Sequence, residues 1–312
     1  MHVIQALLGM LVFIGLGHCL RRWHWLSQDS VQELNQLCFR LFFPLKIALS
    51  FRAPNLIQQM SPLFLGYIFL LFSAHLLCNH LVLRFLVRDP KQRCVEENAA
   101  YRGNFIIMGF PLLQALYGPS SIALAGAMTG LSQFFYNFYS ISLYEQVCSA
   151  QQSRRQVLLR ILRSPLLIGV YAGLACLLFP FPQTGWERPL NQIADLASPV
   201  ALLCMGYNLQ SLPQRRHLAS YLRVCFLKLL LYPLSALALA ACLPLSPLQG
   251  SVAFILFGAP TAVNSFVLAR KYGLYPELAS QFVLLSTLLY LPLLGVYFLL
   301  SAALGLPYLP WP

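Results

Sequence analysis

Two short stretches of this 312-residue chain place helix-breaking and polar residues inside long apolar runs. One is GNFIIMGFP, Gly103 to Pro111, and the other is FGAPTAVNS, Phe257 to Ser265. Gly weakens a helix, and Pro removes a donor and clashes with the preceding turn. A helix interrupted in hydrocarbon leaves N–H and C=O groups that only protein or a water-filled cavity can satisfy. The N-terminal end of each resumed half-helix carries partial positive charge, which favours an anion. Gly109, Pro111, Gly258 and Pro260 would mark the breaks, with Asn104, Asn264 and Ser265 as polar partners beside them. Either stretch alone reads better as a kink in a tightly packed membrane helix. The matched pair, each with an Asn at its break, points to a binding site.

Other polar residues could join this chemistry. Gln133 and Asn137 are four apart and share one helix face, where they would line a cavity or bond to neighbouring helices. Lys46 is the deepest obvious cation, and His75 could lie at a similar depth in the next helix. The two would form a coupling or anion-anchoring pair, unless Lys46 snorkels outward. Asp195 is the one carboxylate expected inside a span; the other eight Asp and Glu fall in loops or near span ends. That scarcity disfavours a carboxylate-rich sodium cage and leaves proton coupling through Asp195, His75 or Lys46, or uncoupled export. Arg40, Arg102 and Lys228 are expected to snorkel toward the cytoplasmic ends of their spans. The nine Cys contain no CxxC pair and read as small buried apolar residues, and HExxH, GxSxG and Walker A motifs are absent. No metal or cofactor is expected.

These residues need a membrane scaffold to hold them. The chain is 58% hydrophobic and only 10% charged, with mean hydropathy +0.67, whereas soluble domains carry about 25% charged residues. Apolar runs fall near 3–20, 31–51, 62–83, 99–117, 121–144, 164–181, 190–209, 221–243, 250–269 and 278–303. The second and seventh are amphipathic and interrupted by Pro44 and Pro199. The fold class is therefore an all-α polytopic membrane protein with ten spans. Its net charge of +12 is dispersed in short clusters between apolar runs, the pattern of membrane loops rather than of a nucleic-acid face. The odd connections hold 15 of the 21 Lys and Arg and the even ones only Arg52 and Arg188, which puts odd loops in the cytoplasm and both termini outside. The first run has no basic residue before it and Arg21–Arg22 after it, so it reads as a first span rather than a signal peptide.

The basic loop divides the spans five and five, giving a first repeat at 1–147, a linker at 148–163 and a second repeat at 164–312. Because five is odd, the second copy would enter the membrane from the opposite face. A shift of 155 places Pro44 on Pro199, Gly103 on Gly258, and Tyr117–Gly118 on Tyr272–Gly273. Inverted repeats with paired broken helices, here the fourth and ninth, point to a secondary transporter with its site near the midplane.

At these residues the chain resembles the auxin efflux carrier family in its compact bacterial form. The resemblance rests on GNFIIMGFPLLQALYG (103–118), GAPTAVNSFVLARKYGLYPELAS (258–280), LLSTLLYLPLL (284–294) and FFPLKIALSF (42–51). It implies ten helices in two inverted repeats, a scaffold and a transport domain, and prolines Pro111 and Pro260 crossing at the substrate site beside Asn104 and Asn264. It further implies transport of small organic anions across the inner (plasma) membrane: mono- or dicarboxylates, with malonate and auxin as examples. The short 145–163 loop argues for the bacterial form and against auxin. A homodimer stays open. The competing readings are a serine-type intramembrane enzyme and a sensor without transport; neither has a supporting motif.

Overall fold

The computed structural model describes residues 2–52, 56–148, 153–178, 187–208 and 214–304. Residues 149–152 of the expected linker, Met1 and residues 305–312 lie outside them. The described residues form helices throughout and no strand; a single isolated β-bridge joins Gly103 to Thr261. This follows from the composition, because in hydrocarbon a helix satisfies its own backbone.

Among the described residues, three helices are long and apolar enough to cross a membrane: Pro62–Leu86, Arg215–Ala241 and Pro276–Ser301. Shorter apolar helices are Phe105–Tyr117, Pro165–Leu178 and Pro247–Gly258. Pro62–Leu86 buries Phe64, Tyr67 and Phe72 while leaving Phe69, Leu77 and Phe85 exposed. A large apolar surface of that kind suits lipid, since soluble monomers rarely expose it.

Local chemistry sets the helix ends. Ser61–Pro62, Asp89–Pro90 and Ser246–Pro247 each pair a capping oxygen with Pro in the first turn. Ser61 Oγ accepts from the Phe64 amide at 3.2 Å, and Ser246 and Gln249 form a reciprocal capping box. Pro at that position loses nothing, because its missing N–H has no intrahelical acceptor. Deeper prolines act differently. Pro44 and Pro233 each follow a turn of π-helix, Cys38–Phe42 and Phe226–Leu231. In these turns the amides of Phe43 and Tyr232 reach back five residues, to the carbonyls of Cys38 and Leu227. The widened turn accommodates the ring where a regular one would clash.

The described residues fall into two compact units. Unit 1 comprises those within Met1–Met60, Ile106–Gly130 and Leu158–Leu209. There His2–Arg22 packs on Ala197–Asn208, and Phe43–Ser50 on Pro165–Leu178. Unit 2 comprises those within Ser61–Phe105, Leu131–Val157 and Gln210–Pro312. Its core pairs Tyr232–Ala241 with Pro247–Gly258, Val263–Tyr272 with Pro276–Leu304, and Pro62–Leu86 with Pro90–Tyr101. Each unit draws on both halves of the chain.

Outside the apolar segments, Asp89 caps Pro90–Tyr101 through the amides of Lys91 and Gln92 and accepts a 2.9 Å bond from the Tyr275 hydroxyl. Desolvation, the largest single effect, pushes the Asp89 pKa up, but the Tyr275 hydroxyl, the two amides and the Lys91 charge together outweigh it and hold it below its ordinary value. The same bond raises the pKa of Tyr275. A depressed carboxyl stabilises the fold above its unfolded pKa, and that contribution disappears as pH falls through the folded value. The melting difference between wild type and Tyr275→Phe should therefore be present at neutral pH and close below about pH 4. A difference that persists in acid would show that the bond is not the cause.

Candidate functional site

Two paired breaks lie in unit 2, the second at the expected Gly258–Pro260 and the first at Arg102–Asn104, ahead of the expected Gly109 and Pro111. The helix Pro90–Tyr101 gives way to extended backbone at Arg102, and Pro247–Gly258 does so at Ala259. The Asn104 amide donates to the Pro260 carbonyl at 2.8 Å, and the Ala262 amide to the Arg102 carbonyl at 2.9 Å. Gly103 and Thr261 sit opposite each other between these bonds. The amide of Gly103 donates to Tyr136 Oη at 3.2 Å, and that of Thr261 to Ser286 Oγ at 3.0 Å. Thr261 Oγ1 in turn donates to the Ala99 carbonyl at 2.9 Å. Each unwound segment thus satisfies the other, which is what makes buried irregular backbone tolerable. Beyond the second break, Val263–Tyr272 begins with no side-chain cap on its N-terminal turn.

Two cations are buried against these segments. Lys228, in the π turn Phe226–Leu231, has 0% exposure, and Arg102, in the first break, 6%. A Cβ on Gly103 would lie 2.6 Å from the Phe105 ring and 2.8 Å from Lys228 Nζ, so a side chain there would displace one or both. Lys228 Nζ lies 5.8 Å from the Tyr232 ring centre and the Arg102 guanidinium 5.7 Å from that of Tyr136. Aromatic faces attract cations at such distances, but no ion pair joins either residue to a carboxylate among the described residues. Arg102 Nη1 and Tyr232 Oη are buried without a hydrogen-bond partner. His75, 5% exposed, stacks on the aromatic partner of Lys228, the Tyr232 ring, at 4.3 Å, and its Nε2 lies 2.7 Å from Ser235 Oγ. The paired breaks therefore carry buried, unpaired positive charge and aromatic surface, a combination that suits an anion.

Residues 2–298 match the family described as membrane transport protein. The chain belongs to this family, the auxin efflux carriers. It is 35% identical over 132 residues to a Rhizobium meliloti protein named "Putative malonate transporter", a match covering 42% of this chain and 41% of that relative's length. It is 24% identical over 293 residues to an "Uncharacterized transporter" of Methanothermobacter thermautotrophicus, covering 91% and 94% of the two chains. The chain is accordingly a multi-pass membrane transporter, and its family is one of transporters rather than of enzymes.

Within the transporter, unit 2 brings Asn104, Gly258, Pro260 and Ser265 to the paired breaks. All four are buried, and Ser265 Oγ has no partner. Asn264 is exposed in the first turn of Val263–Tyr272. Gln133 and Asn137, half-buried, bond to each other: Asn137 Nδ2 donates to the Gln133 carbonyl at 2.8 Å and to its Oε1 at 3.3 Å. Gly109 and Pro111 belong to unit 1, and the interruption before them ends at Asn104, upstream of Pro111. Pro111 instead starts the helix Phe110–Tyr117 after the π turn Phe105–Gly109.

The coupling candidates are distributed differently from the expected Lys46–His75 pair. Lys46 is buried in unit 1 and its Nζ lies 3.5 Å from Asp195 Oδ1, while His75 belongs to unit 2. Asp195 is largely exposed, whereas Glu96 and Glu97, expected near a span end, are wholly buried. Arg102 and Lys228 were expected to snorkel; the structure buries both instead. The sequence carried one usable signal for Lys228, its position just ahead of Pro233 in a long apolar run, where a widened turn was foreseeable.

Proposed function

We propose that this protein is a secondary transporter that moves small organic anions across the inner (plasma) membrane by alternating access at the paired breaks. The observation that carries the reading is the pair of buried cations, Lys228 and Arg102, held at the first of the paired breaks with no carboxylate partner among the described residues. A carboxylate of the cargo would supply the missing counter-charge, and the uncapped turn at Val263 would add backbone donors. Asn264, exposed in that turn, is in this reading the side chain that discriminates among anions. The name of the Rhizobium relative supports mono- or dicarboxylates of malonate size. We further read the helices as two inverted five-span repeats, with the basic odd connections in the cytoplasm and both termini outside, as the loop charges and the offset of 155 favour.

Flux of a panel of mono- and dicarboxylates through proteoliposomes tests the reading. Malonate-sized acids should pass and cationic solutes should not. Transport of cations with none of the acids would overturn it.

A further inference from the structure

The carboxylates of unit 2 explain a second property of the same site. Glu96 is committed to Arg223, which donates to it from Nε at 2.9 Å and from Nη2 at 2.8 Å. Glu97 is committed to His80 at 3.2 Å, to Arg93 at 3.6 Å and to the Tyr139 hydroxyl. Asp89 faces Tyr275 and its own helix cap. Of the five carboxylates of unit 2, Asp89, Glu96, Glu97, Glu145 and Glu277, none forms an ion pair with Arg102 or Lys228 among the described residues. A guanidinium cannot shed its proton at any accessible pH, so the empty site keeps positive charge whatever the state of Lys228. Moving an uncompensated charge through a desolvated barrier is heavily penalised, and a seated anion removes most of that penalty.

We propose that the transporter is an anion exchanger: its site crosses the membrane rapidly only with an anion bound, and the empty return step is the slow one. This rests on the anion-carrier reading above. The rings of Tyr136 and Tyr232 let the two cations persist in the folded protein, but they stay fixed to the site and cannot stand in for a mobile counter-ion.

The test uses full-length protein in proteoliposomes with the membrane potential clamped at zero and radiolabelled malonate outside. Vesicles preloaded with unlabelled malonate should take up label about tenfold faster or more than vesicles loaded with buffer alone. Equal initial rates would overturn the exchange mechanism while leaving the anion reading intact. Empty vesicles that match the preloaded rate by admitting a proton with each anion would overturn it as well. Absence of malonate flux in both arms would overturn both. Removing one charge should shrink the preference, so in Lys228→Met, or in Arg102→Gln if that variant inserts better, the ratio of loaded to empty rates should fall toward one. A ratio unchanged in both variants would show that the buried charges do not impose exchange.

Discussion

Lys228→Met will melt higher than the wild-type protein and bind malonate about thirtyfold more weakly, or worse. The two effects have opposite signs for one reason. Lys228 has no solvent exposure and no carboxylate partner among the described residues. A buried ion in that position costs stability, and an apolar residue of similar volume is often better by roughly 1–4 kcal/mol. For a chain of this size that corresponds to a rise of about 2 °C or more. An anion seated beside the ammonium loses its charged partner in the variant, a loss on the order of 2–5 kcal/mol, and each 1.4 kcal/mol is about tenfold in affinity. Thermal melting with and without malonate measures both at once: the ligand should shift wild type and leave the variant nearly unmoved. A variant that melts lower and still responds to malonate would make Lys228 a structural residue.

In unit 1 the largest effect should come from two glycines. Gly17 and Gly206 lie where His2–Arg22 and Ala197–Asn208 meet. A Cβ on Gly17 would strike the Leu203 carbonyl, and one on Gly206 the Ile14 carbonyl. Both obstacles are backbone and cannot swing aside, so the helices would have to part. Small residues at such crossings are what let membrane helices pack closely. Gly17→Ala and Gly206→Ala should each cost about 1–3 kcal/mol, or more if the seam opens. Gly15 supplies the control, since nothing lies within 4 Å of its added Cβ; Gly15→Ala should be neutral or slightly stabilising, alanine being the better helix former. Recovery of monodisperse protein after a heat ramp ranks the three variants. Equal losses for Gly15→Ala and Gly206→Ala would mean the contact is not what holds the seam.

The sequence by itself determined what depends on neighbours along the chain. Apolar runs and scarce charge dictate membrane helices, and Ser61–Pro62, Asp89–Pro90 and Ser246–Pro247 dictate where three of them begin. Gly258 and Pro260 likewise mark where one helix stops, because a missing side chain or a missing N–H acts within one turn, whereas the first break falls at Arg102–Asn104 rather than at Gly109 and Pro111. The tertiary structure alone decided what depends on distant segments. That Gly103 faces Thr261, 158 residues away in sequence, follows from the packing that brings two unsatisfied backbones together. The fate of the charges was hidden for the same reason. A lysine in an apolar run can snorkel or be buried, and the alternatives differ only in what surrounds it. Lys46 reaches Asp195, Arg223 takes Glu96, and Lys228 meets the open side of a glycine. Burial of a charge belongs to the surrounding helices rather than to the residue, and no local pattern along a chain records which helices those will be.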